Sequence, residues 1–105
     1  MIYLVTNQKQ LFNDNLYKIV SPQFAINKIN SLPINPKYKA KILGADTETE
    51  GLDFLTKKIL TIQLGTYDWQ IVWDCTSISI HLLKTILEDK NIKTIWWNYL
   101  SNQAA

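Results

Sequence analysis

The chain alternates between short apolar runs and polar turns, a pattern that predicts a mixed α/β fold. Six runs have the length of strands and are rich in β-branched and aromatic residues. They cover residues 2–6, 17–20, 40–45, 59–65, 69–74 and 93–97. Two further segments, residues 22–31 and 77–89, carry apolar side chains at helical spacing and predict helices. The pattern therefore places the chain in the α/β class.

The first two strands and the first helix form an N-terminal segment, residues 1–39. The polar stretch between the two strands predicts that they pair loosely as antiparallel neighbours. Ser21 is a suitable N-cap, and Pro22 suits the first turn of the helix. Pro33 and Pro36 then end the helix and form a connector to the rest of the chain.

Residues 40–105 are predicted to form the core domain. Short polar turns join its first three strands, so we expect these strands to form an antiparallel meander. Thr76 or Ser77 is the expected cap of the helix that follows. A strand–helix–strand connection of this length favours a right-handed crossover into a parallel neighbour. The predicted sheet thus has three antiparallel strands, a crossover helix and one parallel strand.

Composition limits the classes of protein to consider. The 105 residues have room for one small domain, and the hydrophobic share of 47% is typical of globular proteins. The net charge is +2 and every basic residue is a lysine, so charge alone does not indicate a dedicated nucleic-acid binder. Cys75 is the single cysteine, and neither a signal peptide nor an apolar run of about 18 residues is present. These features predict a cytoplasmic protein without a membrane partner.

The candidate chemistry lies where the third apolar run ends. Asp46 and Glu48 are separated there by one residue. Side chains at positions i and i+2 of a strand point to the same face, so the two carboxylates converge while Thr47 faces the other way. Paired hard oxygen ligands suit Mg²⁺ or Mn²⁺, which leave room for water and phosphate. An isolated Asp-x-Glu pattern is also common on solvated faces, but this position favours hydrolysis of a nucleic-acid phosphodiester.

The segments 46–53 and 58–65 together resemble the first motif of DEDD-type 3′–5′ exonucleases. The likeness is greatest to the proofreading domains of family A DNA polymerases and their stand-alone phage relatives, and it covers residues 40–102. It implies a ribonuclease H-like sheet and a two-metal site that holds Mg²⁺ or Mn²⁺. It also implies the 3′ end of single-stranded DNA as the substrate, in a bacterial or phage-infected cell.

The resemblance gives roles to individual side chains. Asp46 and Glu48 match the first two catalytic metal ligands of the family. Thr49 and Leu52 match positions that contact the terminal nucleotide, with Leu52 as an apolar wedge against the last base. Asn98 matches the first residue of the second motif, which also contributes to substrate binding.

The second motif departs from the family pattern. Asn102 stands where the family has a metal-binding Asp, and Ser101 replaces the aromatic residue before it. An amide carries no negative charge, so we expect a lower affinity for a divalent metal. The third motif, a Tyr or His ahead of a final Asp, has no counterpart before Ala105. The expectation is an inactive exonuclease domain: either a truncated or frame-shifted enzyme, or a shortened protein retained for another use.

Other interpretations remain open from the residues alone. The chain could be a non-catalytic module that binds nucleic acid or protein on the same half-sheet, or that self-associates through an uncovered sheet face. Its four tryptophans could stack on bases, although burial in the core is more frequent and is favoured for three of them. Cys75 and His81 invite a nucleophile-and-base interpretation, but no orienting group accompanies them.

Overall fold

The computed structural model describes residues 1–11, 15–49 and 58–96 of the chain. The strands are Ile2–Val5 (β1), Tyr17–Ile19 (β2), Lys41–Thr49 (β3), Ile59–Gly65 (β4), Gln70–Asp74 (β5) and Ile92–Trp96 (β6). The helices are Pro22–Asn30 (α1) and Lys84–Leu87 (α2), and 3₁₀ turns cover Lys9–Leu11 and Ile80–Leu83. All six strands predicted from the apolar runs are therefore present.

The six strands form one mixed sheet in the order β2-β1-β5-β4-β3-β6. Strands β3, β4 and β5 form an antiparallel meander, as predicted. After α2 the chain returns as β6, which pairs in parallel with β3 on the other side. The predicted arrangement of three antiparallel strands, a crossover helix and a parallel strand is confirmed.

The N-terminal pair differs from the prediction. Strand β1 is parallel to both β2 and β5, so the expected antiparallel pairing of the first two strands is wrong. The connection between β1 and β2 contains a 3₁₀ turn at Lys9–Leu11 and is longer than a hairpin turn. Parallel neighbours need such a long connection, because the chain must return to the end of the sheet where β1 begins. Through β1, the N-terminal segment extends the sheet of the core, which the sequence did not predict.

Helix α1 begins as its sequence predicts. Ser21 lies at the N-cap, and its hydroxyl accepts a hydrogen bond from the backbone N–H of Phe24 at 3.0 Å. Pro22 is the first helical residue, where its missing N–H costs no hydrogen bond. Ala25 and Ile29 are fully buried against the sheet. Within the described part of the chain, neither helix is long and apolar enough to cross a membrane.

The second helix is shorter than predicted, and the expected cap is wrong. The hydroxyls of Thr76 and Ser77 donate to the carboxylate of Asp74 at 2.6 and 2.8 Å, so they do not cap a helix. Ser79 is the cap instead, and its hydroxyl accepts from the backbone N–H of His81 at 3.2 Å. A 3₁₀ turn followed by one turn of α-helix replaces the long helix that the apolar spacing predicts.

The core lies on one face of the sheet, which both helices cover. Its members from the strands are Val5, Leu43, Ala45, Ile62, Leu64, Ile71, Trp73 and Ile92. Ala25, Ile29, Leu83 and Ile86 complete it from the helical segments. Trp73 is fully buried, and Trp69 and Trp96 pack against the same cluster, so the core role predicted for three tryptophans is confirmed. Trp97 lies outside the described residues.

Candidate metal and nucleic-acid site

Strand β3 presents different chemistry to the two faces of the sheet. Leu43 and Ala45 are 0% and 5% exposed and point into the core. Asp46 and Glu48 lie on the opposite face, where Asp46 is half-buried and Glu48 is exposed. Their Cα atoms are two strand positions apart, about 7 Å. The structure therefore places the two carboxylates on one face of a central strand, as the alternation of the sequence predicts.

Hydrogen bonds order the side chains around the acidic pair. The Asp46 carboxylate accepts a hydrogen bond from the backbone N–H of Thr47 at 2.8 Å, which orients one of its oxygens. On β4, Gln63 is opposite Asp46 and Thr61 is opposite Glu48, and the Gln63 amide donates to the Thr61 hydroxyl at 2.5 Å. The two residues beside the carboxylates are thus bonded to each other.

A shift in strand register directly follows Glu48. Thr49 pairs with Ile59 beyond this irregularity, and its side chain is half-buried. A bulge at the end of a strand changes the direction of the side chains that follow it. Thr49, expected to contact the terminal nucleotide, is therefore next to the acidic pair at this shift in register. The other expected substrate and metal positions, Leu52, Asn98 and Asn102, lie outside the described residues.

An open groove of about 880 Å³ runs along this face from Asp46 toward the start of β3. Apolar and amide residues line it, with one carboxylate among the described residues. The lining is Asn35, Tyr38, Ile42, Gly44, Ala45, Asp46, Gln63, Leu64, Gly65, Thr66, Tyr67, Gln70 and Ile95. Concave, largely apolar sites with a few convergent polar groups are the usual form of a ligand-binding site.

Two glycines make the floor of this groove flat. Gly44 and Gly65 are opposite each other on β3 and β4, and Gly44 lies two residues before Asp46 on the same face of the strand. A Cβ on Gly65 would lie 2.6 Å from the carbonyl oxygen of Trp69, whereas a Cβ on Gly44 would meet only an ordinary contact at 3.4 Å. The sequence analysis missed this floor, although glycine inside a strand is a recognised signal of close approach by a backbone or ligand.

A tight turn before β3 forms one wall of the groove. The Asn35 side chain accepts hydrogen bonds from the backbone N–H groups of Lys37 and Tyr38 at 2.9 and 3.3 Å. Asn35 also forms a β-bridge with Ala40, and Lys39 adopts a left-handed conformation with φ of 52°. The turn presents the Tyr38 ring to the groove. The Asn-Pro pair at its start is a turn signal, but nothing in the spacing indicated that Tyr38 and Asp46 line the same groove.

Lysine side chains surround the Tyr38 ring. The Nζ of Lys93, on β6, lies 4.8 Å from the ring centroid, and the Nζ of Lys37 lies 5.3 Å from it. Each such contact at an exposed position contributes about 0.5–1 kcal/mol. Two lysine ammonium groups therefore lie beside the Tyr38 end of the groove, and the Asp46 carboxylate lies in its lining.

Asp74 at the end of β5 has a structural role. Its carboxylate, 6% exposed, accepts hydrogen bonds from the hydroxyls of Thr6, Thr76 and Ser77. Burial favours the protonated acid, but these donors and the backbone N–H of Thr76 outweigh it and lower the pKa of Asp74. Because the donors surround the carboxylate, Asp74 ties the end of β1 to the end of β5.

The described residues can be tested for their fit to a divalent cation. No group of three His, Cys, Asp or Glu side chains converges among them. Asp46 and Glu48 still provide two hard oxygen donors on an accessible face, which suits one divalent cation completed by water and phosphate oxygens. The donor set fits a weakly held Mg²⁺ or Mn²⁺ at these two residues.

The structure opposes the nucleophile interpretation of Cys75. Burial and the nearby Asp74 charge raise the pKa of the Cys75 thiol, so the nucleophilic thiolate is disfavoured. The thiol donates to the Trp73 carbonyl oxygen at 3.7 Å. His81 is exposed at the start of the short helical segment, as a surface histidine is expected to be.

Comparison with known proteins identifies the fold. No family model matches the chain, and no curated protein matches it in sequence. The structure is similar to the crystal structure of the EXO domain of Nibbler from Aedes aegypti, with a TM-score of 0.60 and 10% sequence identity. The alignment covers 98% of this chain and 41% of that chain, so the chain spans less than half of the known structure. The chain therefore has part of the ribonuclease H-like fold of an exonuclease domain.

Proposed function

We propose that this chain provides the acidic half of a metal-dependent 3′–5′ exonuclease site and does not hydrolyse nucleic acid efficiently by itself. The observation that carries the proposal is the position of Asp46 and Glu48 on the accessible face of β3, beside a groove in an exonuclease-like fold. In this proposal both carboxylates hold a divalent cation, and the groove receives the 3′ end of a single strand.

The chemistry assigns separate tasks to the cation and to the side chains. A bound Mg²⁺ or Mn²⁺ would polarise the phosphate and lower the pKa of a bound water. Asp46 is held by the Thr47 backbone N–H, so its carboxylate is oriented before a ligand binds. Thr49, at the bulge beside Glu48, would contact the terminal nucleotide together with Leu52 and Asn98.

The expected lack of activity follows from Asn102. This neutral amide stands where the family has a carboxylate, and two carboxylates bind and position a second cation poorly. A two-metal mechanism needs both cations. We therefore expect metal binding at Asp46 and Glu48 to be measurable while hydrolysis is absent or very slow.

Metal binding is the direct test. Mn²⁺ titration, followed by loss of the free-ion electron paramagnetic resonance signal, is expected to detect binding that Asp46→Asn and Glu48→Gln each weaken by tenfold or more. Glu88→Gln is the matched control, because Glu88 is an exposed acid at the end of α2. Unchanged Mn²⁺ binding in both site variants would contradict the proposal.

Hydrolysis is tested on labelled single-stranded oligonucleotides with Mn²⁺. We expect less than one thousandth of the rate of an active exonuclease, and any residual release is expected to start at the 3′ end and to disappear in Asp46→Asn. Release of nucleotides from the 5′ end would contradict the assignment. Parallel DNA and RNA substrates test the narrower proposal that the chain is of the DNA-proofreading type.

A second candidate function is a non-catalytic binding module. The apolar character of the groove, with Ile42, Tyr38 and Ile95 in its lining, favours it. Binding of nucleic acid, of a protein or of a second copy of this chain would then persist without metal. Binding that survives Asp46→Ala and is unaffected by EDTA would favour this function. Light scattering over a range of concentrations measures the self-association.

A further inference from the structure

The cluster around Tyr38 has the components of a binding site for an unpaired nucleotide. The Tyr38 ring is 50% exposed and lies in the groove that leads to Asp46. Two lysine ammonium groups are within 5.3 Å of its centroid, and both lysine side chains are exposed. An aromatic face with adjacent cations is the combination with which proteins bind single-stranded nucleic acid.

We propose that Tyr38, Lys37 and Lys93 bind single-stranded nucleic acid, with the ring stacked on a base and the two ammonium groups on the flanking phosphates. Stacking of a base is stronger than an exposed cation–π contact, so an incoming base displaces a lysine head from the ring. The flexible lysine stem then brings the charge to a phosphate. This inference rests on the exonuclease-like function proposed for the chain.

The rigidity of the turn supports this role. The Asn35 side chain holds the backbone of Lys37 and Tyr38, and the Asn35–Ala40 bridge closes the turn. The backbone that carries the ring is therefore held in place without a ligand. Such preorganisation lowers the entropic cost of binding.

The strand register of Lys93 gives the distance between this cluster and the acidic pair. Lys93 is paired in register with Ile42 of β3, four residues before Asp46. Four strand positions correspond to about 13 Å. A bound single strand would therefore reach from the stacked base at Tyr38 to its end at Asp46, with its phosphates held at the cationic end of the groove.

Oligothymidine binding measured without metal tests the Tyr38 cluster separately from the acidic pair. Fluorescence anisotropy of a labelled oligothymidine, in EDTA, compares the wild type with Tyr38→Ala, Tyr38→Phe and the double variant Lys37→Gln/Lys93→Gln. Tyr38→Ala is expected to weaken binding by about tenfold or more, and Tyr38→Phe to keep near-normal affinity. The logarithm of the binding constant falls as the logarithm of the salt concentration rises. Each lysine removed is expected to make this slope about 0.7 less steep. Lys84→Gln, an exposed lysine on α2, is the matched control and is expected to bind as the wild type.

Several outcomes would overturn the inference. One is a wild type that binds no oligothymidine at 50 mM salt, and another is a Tyr38→Ala variant that binds as tightly as the wild type. An effect of the lysine variants without an effect of Tyr38→Ala would also overturn it, because it would mean unspecific attraction to a polyanion. A wild type that binds no Mn²⁺ contradicts only the metal proposal, since Tyr38 is tested in EDTA. Circular dichroism of each variant verifies that the fold is retained.

Discussion

The two faces of the same sheet differ in what their residues do. On the covered face, Leu43, Leu64, Ile71 and Trp73 are fully buried beneath the two helices. On the open face, Ile95 is 44% exposed and Tyr38 is 50% exposed beside a groove that contains Asp46. Burial of apolar surface is the main favourable term in folding, so the covered face holds the fold together. Among the described residues, the open face buries less apolar surface, so less of the stability is expected to depend on it.

The largest expected effect is on the covered face. Trp73→Ala is expected to lower the free energy of unfolding by about 3–5 kcal/mol, because it leaves a large cavity. Ile95→Ala on the open face is expected to cost less than about 1 kcal/mol. Urea denaturation followed by circular dichroism measures both. Should Trp73→Ala fail to fold, Ile71→Val gives the milder comparison, about 0.5–1.5 kcal/mol. An equal loss of unfolding free energy in the two variants would contradict the different roles of the two faces.

The next largest effect on stability is expected at Asp74, the buried carboxylate at the end of β5. Its folded-state pKa is lowered, so its contribution to stability is fully present above its ordinary pKa of about 3.9. That contribution is lost as the pH falls through the lower folded-state pKa. Asp74→Asn is expected to cost about 1.5–3 kcal/mol at pH 7 and to flatten the fall in stability below about pH 4.

The exposed Asp68→Asn is the control for this measurement. It is expected to leave both the stability at pH 7 and its acid dependence close to those of the wild type. Urea denaturation at a series of pH values compares the two variants. If Asp74→Asn keeps the full acid dependence, then the hydrogen bonds from Thr6, Thr76 and Ser77 do not hold the carboxylate in its ionised form.

A smaller difference in stability is expected between alanine substitutions of the two glycines in the groove floor. Gly65→Ala is expected to cost about 1–3 kcal/mol, because the new Cβ would lie 2.6 Å from the Trp69 carbonyl oxygen. Gly44→Ala is expected to change stability by about 0.5 kcal/mol or less, since its nearest contact is at 3.4 Å. Thermal unfolding of both variants measures the difference. A Gly44→Ala variant as unstable as Gly65→Ala would mean that the floor is needed for folding.

The smallest expected effect on stability is that of Ile95→Gln on the open face. This exposed position is expected to tolerate the change within about 0.5 kcal/mol. If copies of the chain associate through this face, however, the polar side chain weakens that association. Sedimentation velocity of the wild type and variant measures it, with Leu82→Gln on the helical side as the control. Equal weakening by both variants would mean that association does not use the open face.

Much of the fold is predictable because local signals and tertiary packing agree there. Residues 59–65 and 69–74 are strongly apolar and their connection is short, so pairing as a hairpin is the simplest solution. Ser21 and Pro22 determine the start of α1 through backbone geometry alone. The shared face of Asp46 and Glu48 follows from the alternation of any strand.

The errors occur where a distant residue competes with a local signal. Thr76 and Ser77 have the chemistry of helix caps, but Asp74 is better placed to accept from them once Thr6 closes the cluster. The antiparallel prediction for β1 and β2 failed because strand direction depends on the connection and on β5, which lies far along the chain. Neither influence is visible in a local window of sequence.

Local chemistry thus determined the strands, the first helix and the two carboxylates on one face of β3. Only the folded chain placed Tyr38 in the same groove as Asp46 and Lys93 beside the Tyr38 ring, and only the sheet order brought Thr6 to Asp74. The physical reason is the range of the forces involved. Backbone propensity and side-chain alternation act over a few residues, whereas a binding groove needs contacts between segments that are distant in sequence.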